Sequence, residues 1–172
     1  MLKINIIFYL FQLWCFSNTY SEKKEPKPKT MELKASKTNP PLGAIIVAKL
    51  AKKDIKISWD KTSTEINIGE GVILRTCSSI ARYLARTGGS DLLALYGGDN
   101  LEANTEIDHW LTFSLGPLGC HGEFKNALDY LDDVLGPITF LVGDSITIAD
   151  YVVFGTLFAS GFWQVSIMFS IR

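Results

Sequence analysis

Apolar and polar positions first repeat with a period of two and later with a helical period, and the change falls near residue 88. From Met31 the segment MELKAS alternates and predicts a short strand. Asn39-Pro40-Pro41 then breaks the pattern. Proline is tolerated in a first helical turn, so PPLGAIIVAKLAKK predicts a helix with Leu42, Ile45, Ile46 and Leu50 on one face. IKISWD and TEINIG alternate and are rich in β-branched residues, and GVILR follows; each predicts a short strand. Cys77 or Ser78 opens a helix through SIARYLAR with Ile80, Tyr83 and Leu84 as its apolar stripe, and Gly88-Gly89 ends it. The order strand, helix, three strands, helix is α/β in character.

Beyond residue 88 the Gly-rich stretch GGSDLLALYGGDN predicts a linker over residues 88–104. Thr105 and Asp108, three residues apart, predict a capping box, with Ile107, Trp110, Leu111, Leu115 and Leu118 following at helical spacing. A second helix is expected over residues 121–135 with Phe124, Leu128, Leu131 and Leu135 inward. A third starts at Thr147, with Asp150 completing a second capping box and Ile146 placed to staple against Tyr151. An α/β first half and an all-helical second half, over residues 105–164, are therefore expected.

Composition narrows the class. A chain of 172 residues suits one domain, or two small halves sharing a core, and 47% apolar residues is ordinary for a globular protein. Cys15, Cys77 and Cys120 are too scattered for a disulfide framework or paired zinc knuckles, which points to a reducing compartment. The net charge is only −1, but residues 1–86 hold 15 Lys and Arg against 7 Asp and Glu, and residues 87–172 hold 2 against 11. Halves of opposite sign can attract one another or face different partners.

The two ends stand apart. Lys3 followed by the apolar run 4–16 fits a signal-peptide core and is short for a membrane span. The other reading, favoured because every recognisable pattern begins at Met31, is that residues 1–30 lie upstream of the working start. EKKEPKPKT reads as a basic linker. Residues 151–171 contain no Asp, Glu, Lys or Arg and are long enough to cross a bilayer. Gly155, Gly161, Gln164 and three serines dilute that stretch, and its first part carries the caps of a core helix, so membrane insertion is not expected.

Three segments together resemble the glutathione-transferase fold, a thioredoxin-like half followed by a helical half. They are SIARYLAR at 79–86, TEIDHWL at 105–111 and LVGDSITIAD at 141–150. The phrase TEIDHWL, with the start over residues 31–50 and ADYVVFGTL at 149–157, resembles more narrowly the amino-terminal appendage of the animal bifunctional glutamate/proline-tRNA ligases. The likeness runs over about residues 31–164, with a degenerate thioredoxin-like half at 31–87. The tail at 165–172 does not resemble the family, whose last helices are missing here, as in a truncated product.

That resemblance implies a non-catalytic protein-interaction domain of the cytoplasm. Its work would be docking into a multi-synthetase complex for translation, with synthetase or scaffold proteins bearing transferase-like domains as partners. Were residues 1–21 a working signal peptide, the secretory pathway would replace the cytoplasm. Arg82 and Arg86 share one side of the helix at 79–86 and suit bidentate pairing with a partner's carboxylates, so they are the candidate contacts. Thr105, Asp108, Thr147 and Asp150 are expected to be structural caps, not catalytic groups.

Departures from the family pattern weigh against chemistry. Glutathione-binding members carry a Val-Pro turn, whose proline is cis, and then Glu-Ser, which hold the tripeptide by backbone groups and a helix start. Here Gly71-Val72-Ile73 has no proline, and Thr76-Cys77 stands in place of the acid and serine. Ser36 is the nearest hydroxyl to the end of the first strand, but its neighbours differ from those of a thiol-activating residue. No glutathione, other cofactor or metal is expected, and no catalytic residue.

Ligase chemistry is not expected either. It needs a His-Gly-His signature and a Lys-Ser loop, whereas the chain has His109 and His121 alone and no Gly-rich phosphate loop. Cys120-His121 lacks a positioned base and a set of four convergent ligands. Trp14, Trp59, Trp110 and Trp163 read as core or end pieces, not as a base-stacking platform. Lys49, Lys52, Lys53 and Lys56 suit a helix terminus and leave tRNA contact as a further reading. A divergent glutathione transferase is the remaining alternative.

Overall fold

The computed structural model describes residues 31–51 and 55–160. The expectations for residues 1–30, Lys52, Lys53 and the tail, Trp163 and Gln164 included, lie outside the described residues. Four strands form one mixed sheet: β1 (Met31–Ser36), β2 (Ile55–Asp60), β3 (Glu65–Gly69) and β4 (Val72–Leu74). Their order is β2-β1-β3-β4, with β1 parallel to β2 and antiparallel to β3. The helix α1 (Leu42–Leu50) makes the crossover that a parallel pair requires. Beyond β4 come α2 (Cys77–Thr87), α3 (Ser90–Leu95), α4 (Leu101–Leu115), α5 (Phe124–Leu135) and α6 (Ile148–Ala159).

Alternation in the strands sets the core. Leu33, Ala35 and Ile66 are fully buried on one face of the sheet, whereas Glu32, Lys34, Lys56 and Asn67 are exposed on the other. The exposed face carries ion pairs and, among the described residues, no second layer of helices: Lys34 meets Glu65 at 2.8 Å, and Arg75 meets Glu65 at 3.9 Å. On the buried side α1 packs chiefly against α6 and α2, which joins the two halves around one core.

The buried face of α1 differs from the one expected. Gly43, Ala44, Ile45, Val47 and Ala48 point inward, while Ile46 is only half-buried and Leu50 is exposed. The helix is apolar nearly all round, so periodicity does not choose a face; small side chains do, because α6 crosses very close. A Cβ added at Gly43 would lie 2.6 Å from the Val152 Cα, and one at Gly155 would lie 2.5 Å from the Gly43 N. Both glycines are there for proximity.

Five expectations in the second half need correction. The Gly-rich linker contains α3, a helix of six residues held between left-handed turns at Gly89 (φ 98°) and Gly97-Gly98 (φ 91° and 58°). Thr105 and Asp108 do not cap a helix start. Asn100 does, accepting from the Glu102 and Ala103 amides, so α4 is already under way at Thr105, whose hydroxyl bonds back to the Leu101 carbonyl. Leu115, expected inward, is exposed, and Phe113 and Ser114 are buried instead. The helix α5 begins at Phe124, three residues later than expected, with Leu128 and Leu135 only half-buried and Ala127 taking an inward position. Ile146, placed to staple α6, is 40% exposed.

At the start of α6, the Thr147 hydroxyl accepts from the Ala149 amide at 3.2 Å. The Asp150 carboxylate reaches back to the Thr147 amide at 2.7 Å and also takes the Leu141 amide at 3.0 Å. This capping box satisfies amides in a buried setting and anchors the 141–146 turn to the helix. Among the described residues, no helix is long and apolar enough to cross a membrane.

Candidate functional site

A cleft of about 360 Å³ lies where the end of β1, the starts of α1 and α2, the end of α4 and the last turns of α6 converge. Its polar lining includes Ser36, Asn39, Thr64, Thr76, Cys77 and Ser78. Each of these is already committed to the chain's own structure or lies beside a group that is. The Ser36 hydroxyl is buried, lies 3.0 Å from that of Thr38 and accepts from the Asn39 amide at 3.2 Å. The Ser36 amide in turn donates to Thr64 at 3.3 Å. Ser36 therefore closes the β1–α1 turn.

The start of α2 is closed in the same way. Thr76 is its N-cap and accepts from the Ser79 amide at 3.2 Å, while its own hydroxyl donates to the Ser79 hydroxyl at 2.8 Å. A helix N-terminus attracts anions because its first amides lack partners; here a side chain of the same helix has taken one of them. Cys77 follows, and its sulfur accepts from the Ala44 amide in the first turn of α1 at 3.3 Å. Burial pushes the Cys77 thiol up from its ordinary value, and the Ala44 and Gly43 amides offset this only in part. It is a neutral thiol at neutral pH, a poor nucleophile.

Among the lining residues, Arg75 and Cys77 are the titratable ones. Neither supplies a general base next to the thiol, and Arg75 points outward, with 71% of its side chain exposed. Cys120 is exposed and is not itself a lining residue, although its neighbour Gly119 is. Among the described residues, no three His, Cys, Asp or Glu side chains are grouped to hold a metal. In the cleft wall itself, Ser78 donates to the Leu111 carbonyl at 3.0 Å and Ser114 donates to the same oxygen at 2.8 Å. Sequence reasoning missed this buried polar seam, which needs α2 and α4 to be adjacent before either serine has a role.

Arg82 and Arg86 sit on α2, away from the cleft. Arg82 is half-buried and its Nε donates to Asp108 Oδ1 of α4 at 2.8 Å. The second oxygen of Asp108 accepts from the Tyr96 hydroxyl at 3.0 Å. Arg86 is exposed and lies over the Tyr96 ring, 4.8 Å from its centre, in cation–π geometry. The two arginines thus share a side of α2, with one bound within the chain and the other presented on a ring. Tyr96 was not singled out from sequence, because an isolated tyrosine in a Gly-rich stretch gives no sign of its partners.

Comparison with known proteins bears on the whole arrangement. The family model for the C-terminal domain of glutathione S-transferase matches residues 118–166. The bifunctional glutamate/proline-tRNA ligase of Mus musculus is 39% identical over 127 residues, which is 73% of this chain and 8% of that protein. The Drosophila melanogaster ligase of the same name is 35% identical over 133 residues, covering 74% of this chain and 7% of that protein. The chain therefore spans less than a tenth of the length of these relatives. Among solved structures, a glutathione transferase of Bombyx mori superposes with a TM-score of 0.63 at 22% identity, over 76% of this chain and 77% of that one. One from Anopheles dirus gives 0.62 at 20%, over 77% and 80%. The chain is a glutathione-transferase-like domain of the kind carried by the bifunctional glutamate/proline-tRNA ligases.

Proposed function

We propose that this domain is a non-catalytic docking module of a glutamyl-prolyl-tRNA synthetase, joining it to other synthetase or scaffold proteins with transferase-like domains in the cytoplasm. The observation that carries the reading is the closed start of α2. The Thr76 hydroxyl takes the Ser79 amide, and the neighbouring Cys77 thiol is buried against α1. A cleft whose anion-binding amide and thiol are both engaged internally offers little to a tripeptide thiol, which shifts the work to outer surfaces.

The outward side of α2 is the surface favoured here. Arg86 is exposed there, and the Tyr96 ring holds its guanidinium in place, which lowers the entropy lost on pairing with a partner's carboxylate. Arg82 would set the angle of the helix through Asp108. The test is co-purification with transferase-like partner domains. Arg86→Ala should weaken capture at least tenfold while the fold, read by circular dichroism, is unchanged. Full retention of partners by the Arg82→Ala/Arg86→Ala variant would reject the patch. Retention of the chain on immobilised glutathione, with turnover of an electrophilic aromatic substrate, would instead establish a divergent transferase. For tRNA contact through Lys49 and Lys56, binding should fall steeply between low and physiological salt.

A further inference from the structure

The sheet has two edges, and they differ. β4 is three residues long, and its pairing with β3 is interrupted by a register shift between Asn67 and Gly69. Short strands and bulges blunt an edge against further pairing. β2, at the opposite edge, is six residues long, has neither proline nor bulge, and carries Trp59 at 52% exposure. The Lys37 amide donates to the Asp60 carbonyl at 2.9 Å, so the backbone groups of Asp60 turn toward β1. Backbone direction alternates along a strand, so Lys56 and Ser58 follow Asp60, and the N–H and C=O of Ile55, Ile57 and Trp59 face outward from the sheet.

We propose that β2 pairs antiparallel with β2 of a second copy of this chain, about a two-fold axis through Ser58. The sequence IKISWD is self-complementary in that register. Ile57 lies opposite the partner's Trp59 and Trp59 opposite the partner's Ile57, on the side of the sheet that bears Leu33 and Ala35. These are the residues whose backbone groups face outward, so each pair exchanges two hydrogen bonds. Lys56 lies opposite the partner's Asp60 on the solvent side, twice over, giving two equivalent pairs of opposite charges. Moving the axis by one residue to Ile57 sets Lys56 against the partner's Ser58 and forfeits both. Any axis between residues mismatches the faces. The Ser63 hydroxyl, with the amides of the 61–63 turn, keeps Asp60 ionised well below physiological pH.

Six residues a side is a small contact beside the ~1,600 Å² of a standard interface, so association is expected in the micromolar range. The surface is on a different element from α2, so this dimer and the docking reading stand or fall separately. The test is sedimentation equilibrium of the full chain from low to high micromolar concentration, where a reversible monomer–dimer equilibrium is expected. Ser58→Lys sets two ammonium groups against each other on the axis, on the solvent face, and should weaken the dimer at least tenfold with an unchanged circular dichroism spectrum. In a Cys15→Ser/Cys120→Ser background, Ser58→Cys should give an oxidised covalent dimer, whereas Asn67→Cys on the same face should not. A chain that stays monomeric throughout, or a dimer indifferent to Ser58→Lys, would overturn the proposal.

Discussion

Asp108 binds Arg82 through one carboxylate oxygen and Tyr96 through the other, so a single side chain of α4 ties α2 and the end of α3 to itself. The pair with Arg82 is only partly shielded, with side chains 30% and 45% exposed. A double-mutant cycle of Arg82→Ala and Asp108→Ala should therefore give a coupling of only about 1 kcal/mol. Asp108→Ala alone should cost more, about 1–3 kcal/mol, because it also orphans the Tyr96 hydroxyl. Chemical denaturation of the four proteins checks both values; strict additivity would mean that the ion pair is idle.

The crossing of α1 and α6 sets a contest between propensity and space. Alanine is favoured over glycine in a helix by about 1 kcal/mol, but the new Cβ of Gly155→Ala would lie 2.5 Å from the Gly43 backbone nitrogen. Backbone cannot step aside as a flexible side chain can, and overpacking costs about 1–3 kcal/mol or more. Net destabilisation is expected, read as a lower urea midpoint. A midpoint that rises would show that the helices can part cheaply.

Burial of Cys77 makes two measurements predictable. At pH 7–8 the folded chain should react with iodoacetamide at Cys120, which is exposed, well before Cys77. The thiol's pKa is raised in the folded state, so its contribution to stability is fully present below the unfolded value near 9.0 and is lost as pH climbs through the folded value. Cys77→Ala should flatten the alkaline decline in stability. Equal labelling of both cysteines would contradict the packed position.

Thr147 and Asp150 give a further stability test. Thr147→Ala removes the acceptor for the Ala149 amide and should cost about 1 kcal/mol. Asp150→Ala orphans the Leu141 and Thr147 amides together, so a loss of about 2–3 kcal/mol is expected. Because the two residues share one network, the double variant should lose less than the sum. Thermal melts of the three variants decide it.

What the residue pattern reveals, and what it hides, follows from range. Strands such as β1 and β2 are legible because alternation is local, and so is the Thr147–Asp150 box, which precedes an apolar run. Thr105 and Asp108 share that three-residue spacing, yet Asn100 had already opened the helix, so spacing alone does not locate a start. The helix α3 is hidden because six residues between glycines are too few for a period to show. The face of α1 is hidden because both faces are apolar and only the nearness of α6 selects one. At the cleft, the replacement of an acid and serine by Thr76-Cys77 can be read directly. The bond from the Ala44 amide to the sulfur cannot, since it joins residues distant in sequence.

Among the described residues, the sheet bears helices on one face only and carries Lys34, Glu65 and Arg75 on the other. An interior closed from a single side must borrow its lid, and here much of that lid is α6, from the far half of the chain. Neither half owns enough interior to stand alone, so separation between residues 88 and 104 should yield two unfolded pieces instead of two smaller domains. The two halves are therefore expected to fold together or not at all.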